Sequence, residues 1–231
     1  TDSKGMGEPL RLQGHHVVHN GIDPCQTRDC VKVACDTHID CLLQTHNWDS
    51  ASLLESHHDI SLIVDDLAKS LFDLKGPEEG SDEHQDLRDK VGFSHRQLLG
   101  ELMCACVVAC PDIGFAVCLL ARFSASPHEK HHRALEGIAK HLGATKDWGI
   151  IHWRTAPNSL FEHVSVDRPE IDPKLPAFPQ GGATTLTGYV DAAHATDLVQ
   201  RKSVTGLVFT LAGGAIACKS KLQATIATSS T

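Results

Sequence analysis

Hydrophobic and polar residues alternate most regularly near the C-terminal end of the chain, from Leu186 to Thr231. Thr, Val, Leu, Ile and Phe alternate there with small or polar residues, and this period of two is typical of β-strands. Four glycines indicate bends between the apolar runs: Gly188, Gly206, Gly213 and Gly214. The pattern predicts three strands joined by short turns.

Helical spacing replaces this alternation in four upstream segments. Apolar residues fall on one helix face in Val31–His46, in two runs over His95–Cys110 and Ile113–Phe123, and again in residues 128–147. The ends of these runs carry helix-boundary residues. Asp112 is predicted to cap the second of the two runs behind Pro111, Pro127 lies near the first turn of the last helix, and Gly143 is expected to end it.

The remaining segments complete a two-part organisation. Alternation around Val17-Val18 and the Asn20-Gly21 dipeptide predict a hairpin in residues 1–24, and residues 148–153 predict a short strand. Residues 50–90 are acidic and lack a strong period, so they are expected to be a connector. Five prolines between residues 156 and 180 indicate a linker.

The predicted fold is therefore α+β, in two parts. Residues 1–155 form a mainly helical part with small strands, residues 156–183 are a Pro-rich linker, and residues 184–231 form a three-stranded sheet. Such a small sheet exposes an edge and an apolar face, so marginal stability and aggregation are expected.

Charge and cysteine content narrow the class of protein. The 231 residues carry a formal net charge of −8, with 18 acidic against 8 basic residues in positions 1–90 and 11 against 13 beyond. Any contact with nucleic-acid phosphate is therefore expected in the second region.

The chain has nine cysteines at irregular spacing and lacks a signal-like or membrane-spanning segment. This combination predicts reduced thiols in an intracellular protein, cytoplasmic or nuclear, with no membrane partner.

Several ordered motifs resemble a known family. They are GYVDAAHA (188–195), RKSVTGLVF (201–209), GGAIACKSK (213–221), QATIATSST (223–231) and, upstream, FSHRQLLGELM (93–103) and residues 111–153. These stretches resemble copia-type retrotransposon polyproteins. The C-terminal motifs are similar to the ribonuclease H domain, the upstream block to the region linking it to reverse transcriptase, and residues 1–92 more loosely to the late palm and thumb.

The resemblance assigns a role to Asp191, at the end of the first predicted strand. In this family it is the first carboxylate ligand of a two-metal Mg²⁺ site that cleaves the RNA strand of an RNA/DNA hybrid. The family supplies a glutamate after the third strand and an aspartate on the fourth, and these would fall beyond Thr231. One carboxylate does not hold two metals, so we expect no bound cofactor and no catalysis from this chain alone. A simple strand-end turn residue is the alternative for Asp191.

Four basic residues are candidates for contact with the hybrid backbone: Arg201, Lys202, Lys219 and Lys221. They are predicted to share one face of the sheet. Four charges give a weak and salt-sensitive grip on phosphate. A solvated sheet surface is the competing interpretation.

Two other motifs are set aside. Asp65-Asp66 lacks the flanking apolar strands of a polymerase metal-binding turn, so the polymerase aspartates are expected to be missing. A series of Cys and His residues departs from the spacings of zinc sites, and we interpret it as unrelated core cysteines and surface histidines: Cys25, Cys30, Cys35, His38, Cys41 and His46.

Histidine is unusually common, with 16 His against one Tyr. His or Cys stands at six positions where the resembled family usually has Tyr: His95, Cys104, Cys106, His132, His141 and His152. Single-base transitions convert Tyr codons to His or Cys codons, which favours a decayed genomic copy. A lineage that prefers these residues is the alternative.

The sequence therefore predicts a fragment of a reverse transcriptase/ribonuclease H polyprotein from a transposable element, inactive alone. Its partners would be an RNA/DNA hybrid and the remainder of the polyprotein. The absence of an initiator Met at Thr1 fits a fragment. A non-catalytic module that binds nucleic acid or a protein partner is the alternative, and the acidic first 90 residues argue against it.

Overall fold

The computed structural model describes residues 15–16, 21–48, 70–72, 74–154, 186–197 and 201–226. A short 3₁₀ turn, Pro111–Ile113, lies between the third and fourth of the described helices. The α-helices are α1 (Asp36–Thr45), α2 (Asp82–Val91), α3 (His95–Val108), α4 (Gly114–Ala121) and α5 (Glu129–Ala144). The strands are β1 (His15–His16), β2 (Asp23–Gln26), β3 (Cys30–Ala34), β4 (Ile150–Trp153), β5 (Leu186–Asp197), β6 (Lys202–Leu211) and β7 (Gly214–Leu222).

The first sheet is antiparallel, with strand order β1-β2-β3-β4. His15 pairs with Gln26 and His16 with Cys25, so β1 and β2 form the predicted hairpin. Gly21 has φ +77°, a left-handed conformation suited to the turn. The alternation at Val17-Val18 lies outside the described residues. The predicted strand in residues 148–153 is confirmed as β4, which pairs with β3.

The helix predicted over Val31–His46 is wrong in its first turn. Residues 31–34 belong to β3, where Val31 pairs with His152 and Val33 with Ile150. β-Branched valines suit this pairing better than a helix. The helix begins at Asp36 because the Asp23 carboxylate of β2 accepts bonds from the Thr37 backbone N–H (2.8 Å) and hydroxyl (2.7 Å).

The expected connector over residues 50–90 contains helix α2, and residues 49–69 lie outside the described part. Ser81 caps α2 by accepting from the His84 N–H, and Gly92 ends it at φ +84°. Acidic residues fill its first turn and basic residues its last, which matches the helix dipole. The helix has no buried residue. It therefore lacks the apolar stripe by which sequence periodicity identifies a helix.

Helices α1, α3, α4 and α5 enclose the main core. Their inward side chains are fully buried, and each contributes about 1.5–3 kcal/mol by leaving water: Ile39, Leu98, Leu102, Val117, Leu120, Leu135, Ile138 and Leu142. Two boundary predictions are wrong. Asp112 lies inside the 3₁₀ turn, and the cap position of α4 is Ile113, which makes no side-chain cap hydrogen bond. Gly143 is buried inside the last turn of α5, which ends at Ala144 with Thr145 bonding back to the His141 carbonyl.

The second sheet confirms the three predicted strands, in the order β5-β6-β7. The turn from β6 to β7 places Ala212 at φ +54° and Gly213 at φ +82°, and two positive φ values in a two-residue hairpin are typical of a type I′ turn. Gly188 and Gly206 lie inside strands, so their assignment to bends is wrong. A Cβ on Gly188 would lie 2.8 Å from the Phe209 ring, so the ring occupies the space above this glycine.

The two sheets meet at the β6–β7 turn. The Trp153 backbone N–H donates to the Ala212 carbonyl at 2.8 Å, and His152 Nδ1 lies 3.0 Å from the Leu211 carbonyl oxygen. A Cβ on Gly214 would come within 2.6 Å of the His152 ring. The end of β4 is thus fitted closely against the start of β7. The predicted linker, residues 156–183, lies outside the described residues.

Among the described helices, none combines the length and the apolar character needed to cross a bilayer.

Candidate functional site

Asp191 lies on the outer strand of the second sheet, with its side chain exposed to solvent. The register sets it opposite Gly206 of β6, which in turn pairs with Ser220 of β7. A Cβ on Gly206 would meet nothing within 4 Å. The missing side chain leaves an open notch beside the carboxylate, which is accessible to a ligand from solvent.

The four basic candidates do not share one face of the sheet. Lys219 pairs with Leu207 and Lys221 with Thr205, so these two exposed lysines project from the same face, about 7 Å apart along β7. Asp191 projects from the opposite face, because it is in register with Gly206.

The other two basic candidates lie at the start of β6. Alternation along β6 places Lys202 on the Asp191 face. Arg201 occupies the turn before β6 with φ +57°. The structure therefore brings together one lysine pair and leaves the other two basic residues apart from it.

The lysine pair borders an apolar face of the same sheet. Register places Leu186 and Val190 of β5 on this face with Leu207 and Phe209 of β6. Leu186, Val190 and Phe209 are 59%, 72% and 37% exposed. These four residues form the open sheet face. Its apolar centre and cationic border differ from the wholly charged surface expected from four basic residues.

Asp191 does not by itself fit a two-metal Mg²⁺ site. Such a site needs several convergent oxygen ligands. In the described part of the chain, no three His, Cys, Asp or Glu side chains converge at metal-binding distance. The described residues supply one carboxylate on the first strand, and no catalytic step follows from it alone. Its predicted place at the strand end is wrong, because β5 continues to Asp197. Asp65 and Asp66 lie outside the described residues.

A histidine cluster that the sequence did not predict lies between α3 and α5. His95, His131 and His132 are 3%, 0% and 2% exposed. The His131 ring stacks on Phe123 at 4.0 Å between centroids, and His132 packs against Phe93 at 5.6 Å. Burial lowers the pKa of both His131 and His132, and it lowers the pKa of His95 to about 3, with His132 adding to the effect.

The three histidines of this cluster differ in their hydrogen bonds. His131 Nε2 lies 3.0 Å from the Leu71 carbonyl oxygen, and His132 Nδ1 lies 3.3 Å from that of His128. Neither ring nitrogen of His95 has a partner within the described part of the chain. His46, which was interpreted as a surface histidine, has a side chain that is only 6% exposed, and Cys41, interpreted as a core cysteine, is exposed. The helical spacing of residue 95 with Leu98, Leu99 and Leu102 was the available signal for a buried position.

The cysteines are thiols, as the irregular spacing predicts. All nine lie in the described part of the chain, and none forms a disulfide. The Sγ atoms of Cys35 and Cys110 are 3.4 Å apart. A second thiol contact joins Cys106 of α3 to Cys218 of β7, across the boundary between the helices and the second sheet.

Comparisons with known proteins give two matches. The chain is 31% identical over 133 residues to "Secreted RxLR effector protein 161" of Plasmopara viticola, which covers 58% of this chain and 75% of that protein. It is 35% identical over 142 residues to "Retrovirus-related Pol polyprotein from transposon TNT 1-94" of Nicotiana tabacum, which covers 62% of this chain and 8% of the polyprotein. No established family profile and no solved structure matches the chain.

The two matches share part of this chain, because their combined length exceeds 231 residues. The first spans three quarters of its relative, and the second spans a small segment of a long polyprotein. The chain therefore belongs to the same protein family as the Plasmopara viticola relative, and its match to the tobacco polyprotein identifies it as a retrotransposon-derived polyprotein segment.

Proposed function

We propose that this chain is part of a copia-type reverse transcriptase/ribonuclease H polyprotein and includes the first strands of the ribonuclease H sheet. Helices α3 to α5 would be the region that connects polymerase to ribonuclease H, and β5 to β7 the first three strands of the nuclease. The parent protein would copy RNA into DNA and cleave the RNA strand of the resulting hybrid. This chain alone would be inactive and would act, in the cytoplasm or nucleus, only with the rest of the polyprotein.

The observation that carries this proposal is the 35% identity to the tobacco polyprotein, together with the position of Asp191. The carboxylate lies on the first of three antiparallel strands, exposed beside the notch at Gly206. A following helix and strand that carried the further carboxylates would complete a Mg²⁺ site of the kind that hydrolyses phosphodiesters. In the chain as given, Asp191 is one ligand of such a site.

A chimera tests the proposal. The chain is continued after Thr231 by the glutamate-bearing helix and the aspartate-bearing strand that the resembled family carries after its third strand. We expect Mg²⁺-dependent cleavage of the RNA strand of a labelled hybrid by the chimera and none by the chain alone. Asp191→Asn should abolish cleavage, whereas Asp86→Asn, an exposed change on α2, should leave it intact.

Two results would refute the assignment. A folded chimera that binds the hybrid but does not cleave it would show that Asp191 does not belong to the site. Equal cleavage by the Asp191→Asn and Asp86→Asn chimeras would show that the activity comes from a contaminant or from other residues. Circular dichroism of each variant establishes that the comparison is between folded proteins.

A further inference from the structure

Cys35 and Cys110 bring two thiols together from distant parts of the chain. Cys35 lies between β3 and α1, and Cys110 lies between α3 and the 3₁₀ turn. They are 75 positions apart in sequence, yet their Sγ atoms are 3.4 Å apart. Cys35 is 2% exposed, while Cys110 is partly exposed. The pair is therefore held inside the fold, and a small peroxide must pass the partly exposed Cys110 to reach the Cys35 sulfur.

The two thiols differ in acidity because they share one hydrogen bond. Donation from the Cys110 S–H lowers the pKa of Cys35 below its usual value, against the opposing effects of burial and of Asp23, Asp36 and Asp112. The same bond and burial raise the pKa of Cys110. Since the thiolate is the reactive form of cysteine, this direction favours Cys35 as the nucleophile of the pair and Cys110 as the resolving thiol.

We propose that Cys35 and Cys110 form a site of reversible oxidation, at which a peroxide converts the thiol pair to a disulfide. The Cys35 thiolate attacks one peroxide oxygen and the O–O bond breaks, leaving Cys35 sulfenic acid and hydroxide. The Cys110 sulfur then attacks the sulfenic sulfur, forming the S–S bond as the S–O bond breaks. Proton uptake by the departing hydroxides gives two waters, so two thiols lose two electrons to one peroxide.

The fold requires little movement for this step. A disulfide bond is about 2.05 Å long, so the sulfur atoms must approach by roughly 1.4 Å. Rotation about the Cα–Cβ bonds of both residues moves sulfur on that scale. The bridge would tie the beginning of α1 to the end of α3 and close a 75-residue loop, which restricts the unfolded chain.

The contact between Cys106 and Cys218 is a second place where a disulfide could form on oxidation. Cys106 and Cys218 are also neighbours, but burial raises the pKa of Cys106 to about 12, so its thiolate is scarce. Burial likewise raises the pKa of nearby Cys118. The Cys35–Cys110 bridge is therefore expected to form first under mild oxidation.

Peptide mapping tests the proposal on the unmodified chain. The reduced protein is treated with graded hydrogen peroxide, in native buffer and in urea, and the remaining thiols are blocked. Combined cleavage by trypsin and Asp-N releases Cys35 in the tripeptide 33–35, and fragment ions locate its partner among Cys104, Cys106 and Cys110. We expect Cys35–Cys110 as the first bridge in the native protein, at least tenfold enriched over the urea sample.

Variants and thermal unfolding complete the test. Cys110→Ser should abolish the bridge and leave Cys35 sulfenic acid that a dimedone probe labels, while Cys104→Ser, at an exposed position of α3, should form the bridge normally. Oxidation should raise the Tm by roughly 5–15 °C and dithiothreitol should reverse the change. Random pairing of Cys35 in the native protein, or equal yields in native buffer and in urea, would overturn the proposal.

Discussion

The imidazole of His95 meets that of His132 edge-on, with 5.3 Å between the ring centroids. The contact joins the first turn of α3 to the first turn of α5, inside the apolar core. His95 has two buried ring nitrogens without a hydrogen-bond partner in the described part of the chain. A titratable pair therefore occupies a position where packing alone would favour a hydrocarbon ring.

The first prediction is that the protein loses stability in mild acid. The pKa of His95 is about 3 in the folded chain, and an unfolded histidine has the usual value of 6.5. The unfolded state therefore binds more protons as the pH falls from 6.5 towards 3, and the stability present at neutral pH is progressively lost. For His95 alone, the free energy of unfolding should fall by about 2 kcal/mol at pH 5.

Urea unfolding at pH 7 and pH 5 measures this loss, and His95→Phe supplies the comparison. The Phe variant removes the titrating group and the two unpaired nitrogens, so it should be more stable by about 1–3 kcal/mol and less sensitive to pH. The charged and titratable neighbours of the pair remain in both proteins: Arg96, His84, His128, Glu129 and His131. Parallel pH profiles for the two proteins would contradict the assignment to His95.

The second prediction concerns Glu101, whose side chain bonds to a buried histidine directly after the end of α1. Its Oε2 lies 2.7 Å from His46 Nε2, and the His46 side chain is 6% exposed and stacked on Trp48. Glu101→Ala leaves this ring nitrogen without its partner, so it should reduce the free energy of unfolding by roughly 1–3 kcal/mol. Asp86→Ala on the exposed surface of α2 should change it by less than about 0.5 kcal/mol in the same urea titration.

The third prediction compares two glycines in different surroundings. A Cβ on Gly76 would lie 2.1 Å from the Pro127 carbonyl oxygen, so Gly76→Ala pushes these two backbone segments apart. It should lower the free energy of unfolding by about 2–4 kcal/mol. Gly137 lies within α5, and a Cβ there meets nothing within 4 Å. Gly137→Ala should therefore raise the free energy of unfolding by about 0.5–1 kcal/mol, because alanine favours the helix. Thermal unfolding of both variants should show shifts of opposite sign.

The fourth prediction is that the open sheet face drives self-association. Val190 is 72% exposed on β5, which pairs only with β6 in the described part of that sheet. Val190→Lys introduces a charge at an edge strand and should reduce light scattering at micromolar concentration several-fold. Val107→Lys changes a residue that is 77% exposed on α3 and is not part of the open sheet face, so it should have little effect. An equal reduction in light scattering for both variants would show that the added net charge, and not the open sheet face, controls self-association.

Periodicity predicted the elements whose packing depends on a repeating apolar pattern. Strands β5 to β7 fall where the alternation predicted them. Helices α3 and α5 do so because each buries one regular apolar face. Helix α2 was missed because its stability comes from the Ser81 cap and the Gly92 terminus, with no buried side chain. The start of α1 was misplaced because the Asp23 carboxylate, from a different strand, sets where the helix begins.

The candidate site likewise combines features that the sequence predicts with features that only the tertiary structure determines. The sequence motif predicted Asp191 on the first strand, but at its end, whereas β5 continues for six further residues to Asp197. The separation of Lys202 from Lys219 and Lys221 depends on cross-strand register, which the motif does not specify. The thiol contact between Cys35 and Cys110 depends on how α1 packs against α3. No local pattern contains that information, since 75 positions separate the two cysteines.

The bond from the Trp153 N–H to the Ala212 carbonyl has a practical consequence for dividing this chain into smaller pieces. The Pro-rich segment is the obvious place to cut a sequence, but a piece starting at residue 186 would lose that donor and the His152 contact with Leu211. It would also uncover Cys218, which now adjoins Cys106. Expression of the C-terminal sheet by itself should therefore yield insoluble material, whereas co-expression with residues 1–154 should rescue it as a non-covalent complex.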